Sequence, residues 1–183
     1  MDSTPATLLE QLRGPTRPEA WSRFVRLFTP LLLRWAERIG VPAADRADVI
    51  QDVFLTLLKT LPTFQYEPNR SFRAWLYTVL ANKWKDSRKA RRPGPLVDEP
   101  ADAADPVAAI DAAEYRTVVL SRALGLLQSE FQPITWEAFR ATAIEGRPAA
   151  EVAVQLGLSC NAVYLARSRV LQRLRTVVNG LID

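Results

Sequence analysis

The chain has 183 residues, 48% of them hydrophobic and 24% charged, an ordinary globular balance. Its net charge is +4 and its pI near 9.6. With His 0 and Cys 1, it lacks the default general base, the commonest metal ligand, any intrachain disulfide and any multi-Cys zinc site. No apolar run approaches the roughly 20 residues of a membrane span. The stretch Met1 to Glu10 has no basic n-region of a secretory signal. These features lead us to expect a soluble, cytoplasmic, non-membrane protein with no cofactor, no metal site and no catalytic residues.

Helical periodicity runs through the chain, and hairpin dipeptides are absent. Thr4 to Arg13 reads as a short helix with Leu8, Leu9 and Leu12 on one face. Pro18 opens a second, with Trp21, Phe24, Val25 and Phe28 at helical spacing. Pro30 to Ile39 continues or restarts it, and Gly40-Val41-Pro42 stops it. Asp45 to about Leu61 and Ser71 to about Ala90 are the next two. Beyond a Pro- and Ala-rich stretch come Ile110 to Gln128, Thr135 to Ile144, Ala149 to Leu156 and Cys160 to about Val178. The predicted class is all-α: two small helical domains joined by an acidic linker. The C-terminal domain is a helix-turn-helix, winged-helix-like without the wing.

Charge follows the same division. Residues 1–92 hold 16 Lys/Arg and 9 Asp/Glu, a net +7. Residues 93–114 hold only 6 acidic groups, a net −6, and residues 115–183 hold 8 and 5, a net +3. The boundaries read as residues 1–92, a linker over 93–109, and residues 110–183. Two basic domains on an acidic tether suit a polyanion that both touch. In the free chain the tether is expected to lie against a basic domain and to lower non-specific DNA binding.

The C-terminal pair carries the most specific signal. A helix-turn-helix needs a small residue at the crossing, a Gly in the turn and an apolar residue pointing back. Ala153, Gly157 and Val163 supply them, with Val152, Leu156 and Leu158 around them. Ser159 is a good N-cap. With Val163, Val170, Leu171 and Leu174 inward, the exposed candidates are Cys160, Asn161, Tyr164, Arg167, Ser168 and Arg169. Arg and Asn can read base edges, and Arg and Ser can hold phosphates. Arg173 and Arg175 suit backbone contacts. Cys160 sits at the N-terminus of this helix, where oxidation or alkylation would obstruct the groove, and a small side chain near DNA is the plainer reading.

The helix from Asp45 buries Val49, Ile50, Val53, Phe54, Leu57 and Leu61. Its other side carries Asp45, Asp48, Gln51, Asp52 and Lys59 around an apolar Leu55. Either this face is solvated or it meets a basic protein partner; the residues alone leave both open. The helix from Ser71 carries Arg73, Lys83, Lys85, Arg88, Lys89, Arg91 and Arg92 against Asp86. Phe72 and Trp75 fit its core stripe, whereas Tyr77 and Trp84 fall off it. Cations with exposed aromatics suit single-stranded nucleic acid. Asn82 would either cap a helix restarted there or hydrogen-bond an unstacked base.

Taken together, these elements resemble a bacterial RNA polymerase sigma factor of the extracytoplasmic-function group of the sigma-70 family, over about residues 8–178. DRADVIQDVFL is similar to regions 2.1–2.2, FRAWLYTVLANKWKDSRKARR to regions 2.3 and 2.4, PITWEAFRATAIEG to region 4.1, and the C-terminal pair to region 4.2. The resemblance implies a non-enzymatic factor that binds core polymerase (β′ clamp helices and β flap), melts promoter DNA, and leaves room for an anti-sigma partner. It implies core-polymerase binding by Asp48, Gln51 and Asp52, with Leu55 beside them. It implies minus-ten binding by Asn82, at a loop that grips an extruded base, and by Lys83, Arg88 and Lys89, with Tyr77 and Trp84 as neighbouring aromatics. It matches Asn161, Ala162 and Val163 to the opening of the helix that reads the minus-thirty-five element, where the exposed candidates are Cys160, Asn161, Tyr164, Arg167, Ser168 and Arg169. The run Asn161 to Ala166 departs from the family's usual Gly-Thr-Val-Lys-Ser-Arg-like opening, so the minus-thirty-five sequence does not carry over.

Two other readings compete. A polymerase-independent helix-turn-helix regulator would need neither the Asp45 surface nor the Ser71 cluster. A metal enzyme would use Asp45, Asp48 and Asp52, but it would want further carboxylates, and Glu37 and Glu67 show no ligand spacing to them.

Overall fold

The computed structural model describes residues 7–13, 18–63, 71–91 and 111–182. The expected linker at 93–109, with Arg92, Glu67 and the start of the first helix, lies outside the described residues. Eight helices follow one another: α1 Leu8–Arg13, α2 Pro18–Arg38, α3 Ala43–Thr60, α4 Phe72–Arg91, α5 Ala112–Leu127, α6 Pro133–Phe139, α7 Ala149–Leu156 and α8 Cys160–Val178. Among the described residues there is no strand, and no single helix is long and apolar enough to cross a membrane.

Local chemistry sets the helix starts. Thr7 and Glu10 form a reciprocal capping box, Thr7 N–H donating to Glu10 Oε2 at 2.7 Å and Glu10 N–H to Thr7 Oγ1 at 3.2 Å. The Ser71, Asp111 and Ser159 side chains each accept a backbone N–H from the first turns of α4, α5 and α8. Pro30 does not break α2; the helix runs through it to Arg38. Val41 N–H reaches back to the Ala36 carbonyl at 2.9 Å and closes the stop at Gly40. The expected helix to Ile144 is α-helical only to Phe139. It finishes as a π-turn over Arg140–Ile144. Across that turn Arg140 pairs with both Glu137 and Glu145. The hydrogen bond from Arg140 holds the Glu137 carboxyl below the ordinary glutamate range.

The larger core draws on both sides of the acidic segment. It gathers Leu8 and Leu12 of α1, Phe24, Phe28 and Trp35 of α2, Val53 and Leu57 of α3, Leu76 and Leu80 of α4, Tyr115 and Val119 of α5, and Leu174 and Val178 of α8. Helix α2 lies at its centre because its apolar stripe is wide enough to meet α1, α3, α4 and α5 at once. A second, small core of Ala138, Ala141, Val152, Ala153, Val163 and Ala166 holds α6, α7 and the first half of α8. Helix α8 thus belongs to both cores, its N-terminal half to the small one and its C-terminal half to the large one.

Ion pairs decorate the seam between α2 and the later helices. Glu114 accepts from Arg38 at 2.7 Å, and Glu130 accepts from Arg23 of α2 and from Arg173 of α8. Inside the seam, Tyr115 donates its hydroxyl to the Leu181 carbonyl at 2.6 Å.

Candidate functional site

Helix α3 presents the acidic face as expected. Asp48, Gln51, Asp52 and Leu55 are all exposed, while Val49, Ile50, Val53 and Leu57 are buried and Phe54 is half-buried. At i, i+3, i+4 and i+7 the four exposed residues share one face. Beside them α2 and α3 leave an apolar groove of about 630 Å³, lined by Trp21, Leu33, Gln51, Phe54, Leu55 and Leu58. Leu33, Leu55 and Leu58 are 40%, 49% and 43% exposed, so the two helices together offer an apolar strip edged by Asp48 and Asp52. The groove's α2 side was not picked out from the sequence. Its signal is the run Leu31-Leu32-Leu33, one leucine more than a single helix face can bury.

Helix α4 divides into a covered half and an open half. It packs on α3 and α2. Arg73 is buried, with its guanidinium 5.9 Å from the Tyr115 ring centre, so it does not join the open cations. Tyr77 and Trp84, expected off the core stripe, both pack against the core, Tyr77 with its ring 5.7 Å from Trp35. The reason is tertiary: Trp35 of α2 stands against Tyr77, a partner that periodicity on α4 alone cannot show. Asn82, Lys85, Arg88 and Lys89 stand open to solvent, and Lys83 is half-buried. Helix α4 runs unbroken from Phe72 to Arg91, so Asn82 is neither a cap nor in a loop. It shares an exposed face with Lys85, Asp86 and Lys89.

Helices α7 and α8 turn through 104°. Gly157 makes the corner with φ +67°, a left-handed conformation that suits glycine. Leu158 N–H donates to the Ala153 carbonyl at 2.9 Å and Gly157 N–H to the Val154 carbonyl at 3.4 Å, which closes a Schellman turn. Val163, Ala166 and Val170 face inward. Leu171, expected inward, is half-buried on the flank, because Ala166 and Val170 already fill the line against α6 and α7. Cys160, Asn161, Tyr164, Arg167, Ser168 and Arg169 are all exposed. Leu165, not singled out from the sequence, is 47% exposed among them.

Among the described residues, no group of three or more His, Cys, Asp or Glu side chains could hold a metal ion. Asp45, Asp48 and Asp52 therefore form no ligand cluster on α3.

Residues 24–93, which hold α2, α3 and α4, match the family model of sigma-70 region 2. The RNA polymerase sigma factor CnrH of Cupriavidus metallidurans is 29% identical, over 90% of this chain and 87% of its own length. The chain is thus similar to sigma factors along most of its length, and to sigma-70 region 2 over residues 24–93. The sigma factor CarQ of Myxococcus xanthus is 28% identical over 73% of this chain and 75% of its own. The solved structure of CnrH in complex with the cytosolic domain of CnrY covers 91% of this chain and 92% of its own, at 29% identity and a TM-score of 0.38.

Proposed function

We propose that the α2–α3 groove is where core RNA polymerase docks, that the open half of α4 holds the minus-ten DNA, and that α8 enters the major groove of the minus-thirty-five DNA. The observation that carries this reading is the apolar strip of Leu33, Leu55 and Leu58 edged by Asp48 and Asp52. An apolar centre with a charged rim is the anatomy of a protein interface. The edge is acidic in an otherwise basic half, so it suits a basic protein rather than nucleic acid. Polymerase then supplies most of the affinity, and the two basic surfaces supply the choice of promoter.

The open half of α4 places Lys85, Arg88 and Lys89 where phosphates can sit, with Asn82 among them. An Asn amide offers two donors and an acceptor, enough to read a base that has left the stack. Helix α8 adds a second anchoring point, and its C-terminal half is packed into the same core as α2. Read as a sigma factor of the extracytoplasmic-function group, it is no enzyme, and it works in the cytoplasm, where core polymerase is found.

Run-off transcription with core RNA polymerase tests the reading. The expected outcome is initiation at discrete promoters that depends on this chain. A chain that binds duplex DNA but neither copurifies with core polymerase nor supports run-off product would instead be a polymerase-independent regulator.

A further inference from the structure

The exposed tip of α8 carries an unusual mixture. At about 100° per residue, the side opposite the buried line of Val163, Ala166 and Val170 is centred on Asn161, Leu165 and Ser168, with Tyr164 beside them. Arg167 and Arg169 project to opposite flanks of that centre, which places them for the phosphate walls of a groove rather than for its floor. The floor-facing tip therefore holds one amide, one small hydroxyl and two large side chains, Tyr164 at 58% and Leu165 at 47% exposed. It holds no cation until Arg175, three turns further along.

A solvent-facing Leu next to a solvent-facing Tyr costs solubility and contributes nothing to the fold. Neither packs on the small core. On a helix that enters a major groove they have a chemical counterpart. The thymine C5-methyl is the one apolar group on the groove floor, and an amide fits adenine N6 and N7. Guanine is read best by a bidentate Arg or Lys, which this tip lacks.

We infer that Tyr164 and Leu165 are specificity-determining residues that read thymine methyl groups, so that the upstream element is chosen by T·A pairs and not by guanine. This rests on the proposal that α8 enters the major groove. Asn161 supplies an adenine contact beside the methyl contacts, and Arg167 and Arg169 hold the backbone without regard to sequence.

The test uses the full chain assembled with core RNA polymerase. Duplexes are selected from a library randomised across the upstream element. The selected duplex is then remade with deoxyuridine for thymidine, which removes the methyl and keeps the Watson–Crick pairing. Thymine-rich selection is expected, with a loss of about fourfold per contacted methyl, the factor for one carbon's worth of apolar burial. Leu165→Ala should lose that sensitivity while keeping its helicity. A guanine-led element, or equal binding of the uracil and thymine duplexes, overturns the inference. It would leave groove entry by α8 intact if Arg167→Ala and Arg169→Ala still weaken binding to every sequence alike. No enrichment at all, together with no effect of those two variants, overturns both.

Discussion

Tyr115 stacks on Trp35, the two ring centres 6.1 Å apart and their planes 20° from parallel, so that a residue beyond the acidic segment closes over the core built by α2. The same tyrosine ring carries Arg73 of α4 on it. One side chain of α5 thereby covers parts of two helices of the region 2 unit.

That contact should outweigh the ion pairs around it. Tyr115 is 2% exposed, and truncating a buried aromatic side chain costs about 3 kcal/mol or somewhat more. The Glu130 pairs are partly solvated, with side chains 24–28% exposed, and pairs of that kind contribute up to about 1 kcal/mol. Tyr115→Ala should therefore lower stability in urea several times more than Glu130→Gln does. Equal losses, or a larger loss for Glu130→Gln, would show that charge holds the seam.

On the proposed polymerase surface, Asp52→Arg should weaken binding to core polymerase by about 2 kcal/mol or more if the basic partner group is desolvated on docking. Leu55→Glu should do the same by putting a charge on the apolar strip. Both residues are exposed, so thermal unfolding should stay within about 0.5 kcal/mol of the parent. Unchanged affinity of both variants in a pull-down would move the docking site elsewhere.

Asn82→Ala should slow open-complex formation on duplex promoter and do much less harm on a template already melted across the minus-ten region. Extruding a base costs a few kcal/mol, which hydrogen bonds from an amide offset in part. Asn82 is mid-helix and exposed, so alanine should hold or raise the helicity of α4. Equal losses on the two templates would assign Asn82 to duplex binding instead.

Gly157→Ala isolates the corner of the C-terminal pair. A Cβ there meets nothing within 4 Å, so only the left-handed backbone resists it. The expected cost is about 1 to 2 kcal/mol, seen as a lower urea midpoint, with weakened DNA binding. A neutral substitution would mean that the turn relaxes into another conformation.

What the sequence made legible was whatever short-range rules govern. Ser159, Gly157 and the Ala153–Val163 spacing act within a dozen residues, and the corner they specify is the one observed. The exposed faces of α3 and α8 followed from period alone, because each has a single buried side. The first half of α4 did not, since Tyr77 meets Trp35 of α2 and Arg73 lies over Tyr115 of a helix from beyond the acidic segment. Nothing in the local pattern around Arg73 says that Tyr115 will arrive. The groove was half legible for the same reason: Leu55 stood out among charges, while Leu33 hid inside a leucine run and gained its meaning only when α2 met α3.

Leu9 and Gly180 bring opposite ends of the described chain together, so close that a Cβ on Gly180 would stand 3.1 Å from Leu9 Cδ1. About 170 residues of synthesis separate the two. At roughly 5 to 20 residues per second, α2, α3 and α4 emerge several seconds before α5 and α8 can cover them. The nascent protein therefore spends its first moments with Trp35 bare and the leucines of α1 unpartnered on that side. Chaperone demand during translation should be concentrated in this interval, and should fall once α8 clears the exit tunnel.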